Sequence, residues 1–154
     1  MIIAVDPGNE QSAYLIWGKN KVEGMGIVSN YDLKAMLKNA NKKEYILVIE
    51  MIASYGMPVG ETIFETCLWI GKFLEMWDRE IFSKSKLVYR KDIKLHLCGT
   101  ARAKDSNIRQ ALIDKFGGRE KAIGKKANPG ILYGIKKDLW QALAVAIFYS
   151  ETKK

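Results

Sequence analysis

The chain has 154 residues, 48% of them hydrophobic and 27% charged, proportions of a globular domain that exclude a disordered or fibrous protein. Its longest apolar runs, residues 45–49 and 142–149, fall far short of the roughly 20 residues that span a bilayer, and Met1-Ile-Ile-Ala-Val-Asp6 lacks the basic start of an export signal. The expectation is one domain over residues 1–154, in the cytoplasm, with no membrane partner; the net charge of +8 points instead to a polyanion.

The first elements read as strand, turn, strand, strand. Residues 2–5 are apolar, and Asp6-Pro-Gly-Asn9 then makes a turn because Pro7 fixes the backbone and Gly8 frees it. Residues 12–17 and 22–28 follow as strands across the hairpin signal Gly18-Lys-Asn-Lys21, giving an antiparallel three-stranded start. Ser29 or Asn30 caps a short helix over 31–38, whose Leu33, Met36 and Leu37 share a face. The continuous apolar run 45–49 has the character of a strand buried on both faces, so it should be a central parallel strand. After a loop at 51–60, a long helix is expected over 61–82, with Ile63, Cys67, Ile70, Phe73, Leu74, Trp77 and Ile81 at helical spacing. Trp69, Phe73 and Trp77 belong to a core or a dimer interface. Residues 87–89 make a short strand and 92–97 a helical turn. Ser106 caps a helix that turns Ile108, Ala111, Leu112 and Phe116 inward and ends at Gly117-Gly118. The Gly- and Lys-rich stretch 119–137 reads as a loop, and a last helix occupies about 138–150. The order β-β-β-α-β-α-β-α-α makes an α/β chain, a five-stranded mixed sheet flanked by helices.

Asp6 ends the first strand and Glu50 ends the buried fourth, so both acids lie at the carboxyl ends of strands, where open α/β sheets place their sites. If those strands are parallel neighbours the two carboxylates meet, and such a pair shares a proton or holds a cation. Oxygen-only ligands favour Mg²⁺ or Mn²⁺. Asp138-Leu-Trp-Gln141 fits a capping box, with the Asp oxygen on a helix-start amide. A helix start can also deliver a carboxylate, and a third anion would complete a two-metal clamp on a phosphodiester. Zinc is excluded: Cys67 and Cys98 are not a short-spaced pair, His96 is the only histidine, and both cysteines are expected as reduced, buried thiols.

Between Arg102 and Lys137 ten basic residues face three acidic ones, so this stretch carries +7 of the net +8. A concentrated cationic segment suits nucleic acid, because neutralised phosphates release counterions. Arg102, Lys104, Lys125, Lys126, Lys136 and Lys137 are the candidate phosphate contacts, which position a duplex without reading its sequence.

Ile3-Ala-Val-Asp-Pro-Gly8, Leu47-Val-Ile-Glu50, Ile93-Lys94 followed by Gly99 and Ala103-Lys-Asp-Ser-Asn-Ile108, and Asp138-Leu-Trp-Gln-Ala-Leu-Ala-Val-Ala146 come in the order found in the RuvC family of Holliday junction resolvases. The resemblance covers nearly the whole chain, and Gly60-Glu-Thr-Ile-Phe-Glu-Thr-Cys-Leu-Trp-Ile-Gly-Lys-Phe73 resembles the phage-encoded branch. It implies a ribonuclease H-like fold and a homodimer that binds a four-way junction. It also implies Mg²⁺- or Mn²⁺-dependent cutting of two opposed strands by activated water, leaving 5′-phosphates. Asp6, Glu50 and Asp138 match the family's metal-binding acids; Lys94 matches a basic residue near the scissile phosphate, and Lys104 lies beside the position of another. Two positions depart from the pattern. Gln141 stands one helical turn after Asp138 where the family has a second Asp, offering a neutral and weaker ligand. Ala53 replaces the aromatic residue that wedges the junction, leaving Tyr55 or Met57 in the adjoining loop to substitute; a loop aromatic beside a metal site can stack on an unpaired base.

A sugar-kinase or actin-like ATPase shares the Asp-x-Gly strand and hairpin, but that architecture needs two lobes and 154 residues supply one. Two alternatives stay open: a nuclease of the same fold acting on RNA, flaps or forks, and a catalytically weak branched-DNA-binding protein, for which Gln141 speaks.

Overall fold

The computed structural model describes residues 1–79 and 84–153. Three antiparallel strands begin it, β1 (Ile2–Asp6), β2 (Gln11–Gly18) and β3 (Lys21–Ser29), as the hairpin pattern predicts. Lys19 and Asn20 take the left-handed conformation at φ 50° and 58°, the geometry whose twist matches a two-residue hairpin. The first turn is tighter still: a Cβ on Gly8 would lie 2.4 Å from the Gln11 carbonyl oxygen, so only glycine fits there.

Helix α1 (Asn30–Asn39) is capped by Ser29, whose hydroxyl accepts the Asp32 amide at 3.1 Å. Asn30 has a different task. Fully buried, it accepts a 2.6 Å bond from the Ser12 hydroxyl and donates to the Gly8 carbonyl, so it braces the turn that follows β1. Strand β4 (Ile46–Met51) lies parallel to both β1 and β5 (Ser85–Tyr89), in the sheet order β3-β2-β1-β4-β5. The five-stranded mixed sheet flanked by helices is therefore present as expected.

Between β4 and β5 runs α2 (Glu61–Trp77), shorter than the helix expected over 61–82. Asp78 closes it by donating its amide to the Leu74 carbonyl, and the Trp77 indole binds the Lys84 carbonyl at 2.8 Å, which turns the chain towards β5. Ile81 and Phe82, also assigned to that helix from sequence, lie outside the described residues. The helical turn expected at 92–97 is a full helix, α3 (Arg90–Cys98), ended by Gly99 at φ 73°. Ser106 does not cap the next helix, α4 (Asp105–Lys115); the Asn107 side chain instead accepts the Lys104 amide at 2.8 Å. The stretch 119–137 is not a plain loop. It holds a short helix, α5 (Arg119–Ala122), and a two-stranded hairpin, β6 (Gly124–Lys125) with β7 (Asn128–Pro129), before α6 (Leu139–Thr152).

Alternation along the strands splits the core in two. Ile3, Val5, Leu47 and Ile49 face α1 and α2 with Leu33, Leu37, Phe73 and Trp77. Ile2, Ala4, Leu15 and Val48 face α6, α3 and α4 with Ile93, Ile108 and Leu112. Every residue of α6 from Leu139 to Ile147 is buried, which explains why this helix shows no polar stripe. Cys67 and Cys98 are unpaired and only half-buried, more open than expected. Among the described residues no helix is long and apolar enough to cross a membrane.

Candidate active site

Register decides where the first two acids go. Val5 is the parallel partner of Ile49, so Asp6 and Glu50 follow side by side on adjacent strands. Ala4 and Val48, two residues earlier on each strand, both face α6; period-two alternation therefore sends Asp6 and Glu50 to that same face. Glu50 is 8% exposed and Asp6 is half-buried. Asp138 comes to this end of the sheet on the residue before α6.

The capping-box reading of Asp138-Leu-Trp-Gln141 is not what the structure holds: no side-chain cap forms. The physical reason lies in the backbone. Asp138 is itself in the helical region (φ −68°, ψ −10°), whereas a capping residue is extended. The amides of Leu139 and Trp140 are already taken by the carbonyls of Lys136 and Lys137. With no amide to hold, the Asp138 carboxylate stays exposed beside Gln141, Lys137 and Asp105 in a cavity of about 560 Å³.

Two site residues have no counterpart in the sequence reading. Arg90, the first residue of α3, donates from Nη1 to both Glu50 oxygens at 3.0 and 3.2 Å, and from Nη2 to Asp105 at the start of α4. Strand register brings it there: Glu50 pairs with Val88 and Met51 with Tyr89, so α3 begins with Arg90 beside this end of β4. Asp105 needed the placement of α4, which no local pattern provides.

Burial and charge crowding act together on the two strand-end acids. The Asp6 carboxyl is pushed up from 3.8 to about 8, first by burial and then by repulsion from Glu50, with Asp138 and Asp105 adding to it and Arg90 opposing. Glu50 is also raised by burial, held back by the Arg90 guanidinium on its oxygens. Carboxylates alone form this acidic set, donors suited in kind to Mg²⁺ or Mn²⁺, and the repulsion on Asp6 is what a cation relieves. Yet among the described residues no three of His, Cys, Asp and Glu are gathered closely enough to hold one ion. The donors suit such an ion in kind, and the partner that Glu50 has here is Arg90.

Two cavities flank the acids. On the Glu50 side, about 510 Å³ is lined by Tyr55, Arg90, Lys91 and Lys94 over an apolar floor of Met51 and Ile52. Tyr55 is 60% exposed and left-handed at φ 48°, on a loop where Met57 is 72% exposed. On the Asp138 side, Lys137 is joined by Arg109 and Arg119, neither singled out from sequence. Arg109 lies 5.1 Å from the Trp140 ring centroid, which orders its guanidinium. Lys94 and Tyr55 thus gather with Glu50, and Lys137 and Gln141 with Asp138. Arg102, Lys104, Lys126, Lys136 and Met57 are exposed but line neither cavity, while Lys125 lines a separate hollow shared with Arg119.

No family model and no curated protein matches the sequence. Solved structures do. RuvC from Thermus thermophilus superposes with a TM-score of 0.68 at 15% identity, over 97% of this chain and 95% of that one. The fold is RuvC-like. The T. thermophilus RuvC solved in complex with a Holliday junction substrate gives a TM-score of 0.64 at 13% identity, over 97% and 92% of the two chains. The ribonuclease H-like architecture expected from sequence is thereby present, and the face of its sheet that packs on α6 carries the acids just described.

Proposed function

We propose that the chain is a structure-selective DNA endonuclease, resolving Holliday junctions or related branched DNA by divalent-cation-dependent phosphodiester hydrolysis. One observation carries the reading. Asp6 and Glu50 end adjacent parallel strands on one face, Asp138 joins them from the start of α6, and cationic cavities lie on both sides of the group, all within a RuvC-like fold.

Asp6, Glu50 and Asp138 would hold Mg²⁺ or Mn²⁺, with the Gln141 carboxamide, 8% exposed in the Asp138 cavity, as a neutral fourth donor. When bound, a divalent cation supplies Lewis acidity toward the phosphodiester and neutralises the acids. The chain's own groups bind and orient the strand. Lys94 places positive charge beside Glu50, and Tyr55 offers a ring at the mouth of the same cavity on which an unstacked base can rest. Lys137, Arg109 and Arg119 receive phosphates on the far side of the acids. Lys125, Lys126, Arg102, Lys104 and Lys136 extend the basic surface outward for the arms of a junction, and Met57 stands at the tip of the Tyr55 loop.

A homodimer acting in the cytoplasm belongs to the same proposal, since two opposed cuts need two sites. So does membership of the phage-encoded branch, which rests on the tract 60–73 that now forms most of α2. A second reading, junction binding without cleavage, draws support from Arg90 on Glu50 and from neutral Gln141. Incubation with a synthetic four-way junction and a matched linear duplex, each in Mg²⁺ and in EDTA, separates them. Symmetric nicks on the junction alone, and only with Mg²⁺, are expected; retention of the junction without nicks in either condition establishes the second reading.

A further inference from the structure

Arg90 gives Glu50 what an ion would give it: positive charge and occupation of both carboxylate oxygens. The pair is well enclosed, with the Glu50 side chain 11% and the Arg90 side chain 27% exposed. The other arm of the fork is different. Asp105 is 61% exposed, so Nη2 is held at the rim while Nη1 is held inside. Three elements therefore meet on one guanidinium: the end of β4, the start of α3 and the start of α4.

A guanidinium seated across both oxygens takes the place beside Glu50 that a metal on that side would need, and a buried anion stripped of its partner is costly. These two constraints are satisfied together if one cation replaces another. Resting on the proposed nuclease function, we infer that Arg90 is an exchangeable counter-cation: it occupies Glu50 in the cation-free protein and yields Glu50 to a divalent ion while Asp105 keeps hold of its other arm. Tethered in this way, the released Nη1 stays in the wall of the cavity it already shares with Lys91 and Lys94. There it meets the phosphate of the strand to be cut. Arg90 thus keeps the acids compact without metal and adds a donor to the phosphate once metal is bound.

The alternative is a fixed brace that fastens α3 to β4 and never lets go, and the two differ in how metal affinity responds. Mn²⁺ binding to the full chain is followed by isothermal titration, and melting is recorded in EDTA and in Mn²⁺, for the parent, Arg90→Gln, Arg90→Lys and Lys94→Gln. Lys94→Gln removes a neighbouring charge that lowers the Glu50 pKa through space, so it sets the gain due to charge alone. Arg90→Gln should bind Mn²⁺ roughly tenfold more tightly than Lys94→Gln, because a direct competitor has gone as well as a charge. Its melting temperature should fall in EDTA and recover in Mn²⁺. Arg90→Lys, equal in charge but lacking the fork, should bind a few-fold more tightly than the parent.

If Arg90→Gln gains no more than Lys94→Gln, the guanidinium is a brace and the inference fails, while Mn²⁺ binding by the parent leaves the nuclease reading standing. If Arg90→Gln does not fold, Arg90→Lys decides, and parent-like affinity there overturns the exchange. If neither parent nor variants bind Mn²⁺, the metal reading of the site falls and the exchange with it.

Discussion

On the α1 and α2 side of the sheet, Ile3, Val5, Leu47 and Ile49 meet Leu33, Leu37, Phe73 and Trp77 in a wholly apolar layer, whereas on the α6 side the same two strands run Ile2, Ala4, Ile46, Val48 and then Asp6 and Glu50. One step of the pleat separates a closed core from a charged rim. The difference shows how a small domain tolerates crowded acids. The apolar face has no polar obligation and supplies stability of about 1.5–3 kcal/mol for each large side chain it buries. The other face can then carry Asp6 at a pKa of about 8 without losing the fold.

Four experiments break or sharpen that contrast. Asp6→Asn should retain junction binding and lower nicking by roughly 10³-fold, since it removes an acid at the centre of the group while easing its repulsion; nicking at the parental rate would move the chemistry elsewhere. Phe73→Ala, on the closed face, should cost about 3–5 kcal/mol in urea unfolding, with nicking per folded molecule unchanged.

The third concerns protons. Because the folded Asp6 carboxyl titrates near 8 and the unfolded one near 3.8, the native state keeps a proton that the unfolded chain has lost between those values. In EDTA, its contribution to stability is full below pH 3.8 and is lost as pH rises through 8, at no more than about 1.4 kcal/mol per pH unit. Melting curves across pH 4–8 read this slope in the parent, and Asp6→Asn should flatten it. Smallest is the effect of reversing Lys125 and Lys126 to Glu on the outlying hairpin, expected to weaken junction binding and to reduce its salt slope by roughly one unit per lost phosphate contact. An unchanged slope would remove the hairpin from the interface.

The strands and the acids at their ends were legible because both signals are local: a continuous apolar run for β4, a Pro-Gly turn after β1, and one acid closing each. From there the parallel pairing was enough to bring Asp6 and Glu50 together. Arg90 was illegible for the opposite reason, since its partners come from the β4–β5 register and from the entry of α4, 40 and 15 residues away. Asp138 was misread as a cap because its residue pattern fits one, while the actual backbone satisfies the first amides from Lys136 and Lys137. The hairpin at 124–129 was missed because two-residue strands leave no alternation to count; its geometry rests on close backbone approach, as Gly130 shows, where a Cβ would come within 2.3 Å of the Ala122 carbonyl oxygen.

Asp138 stands on the end of a rod enclosed on every side from Leu139 to Ile147. How closely this rod packs bears on the aperture between it and Asp6, and the alanines at 142, 144 and 146, all at most 1% exposed, keep it thin on more than one side. Enlarging one of them would slide or tilt the rod, and a displacement of about 1 Å at its tip is enough to spoil alignment with a reacting phosphate. Gauge-setting methyl groups, remote from any substrate, would then govern turnover as firmly as the acids themselves.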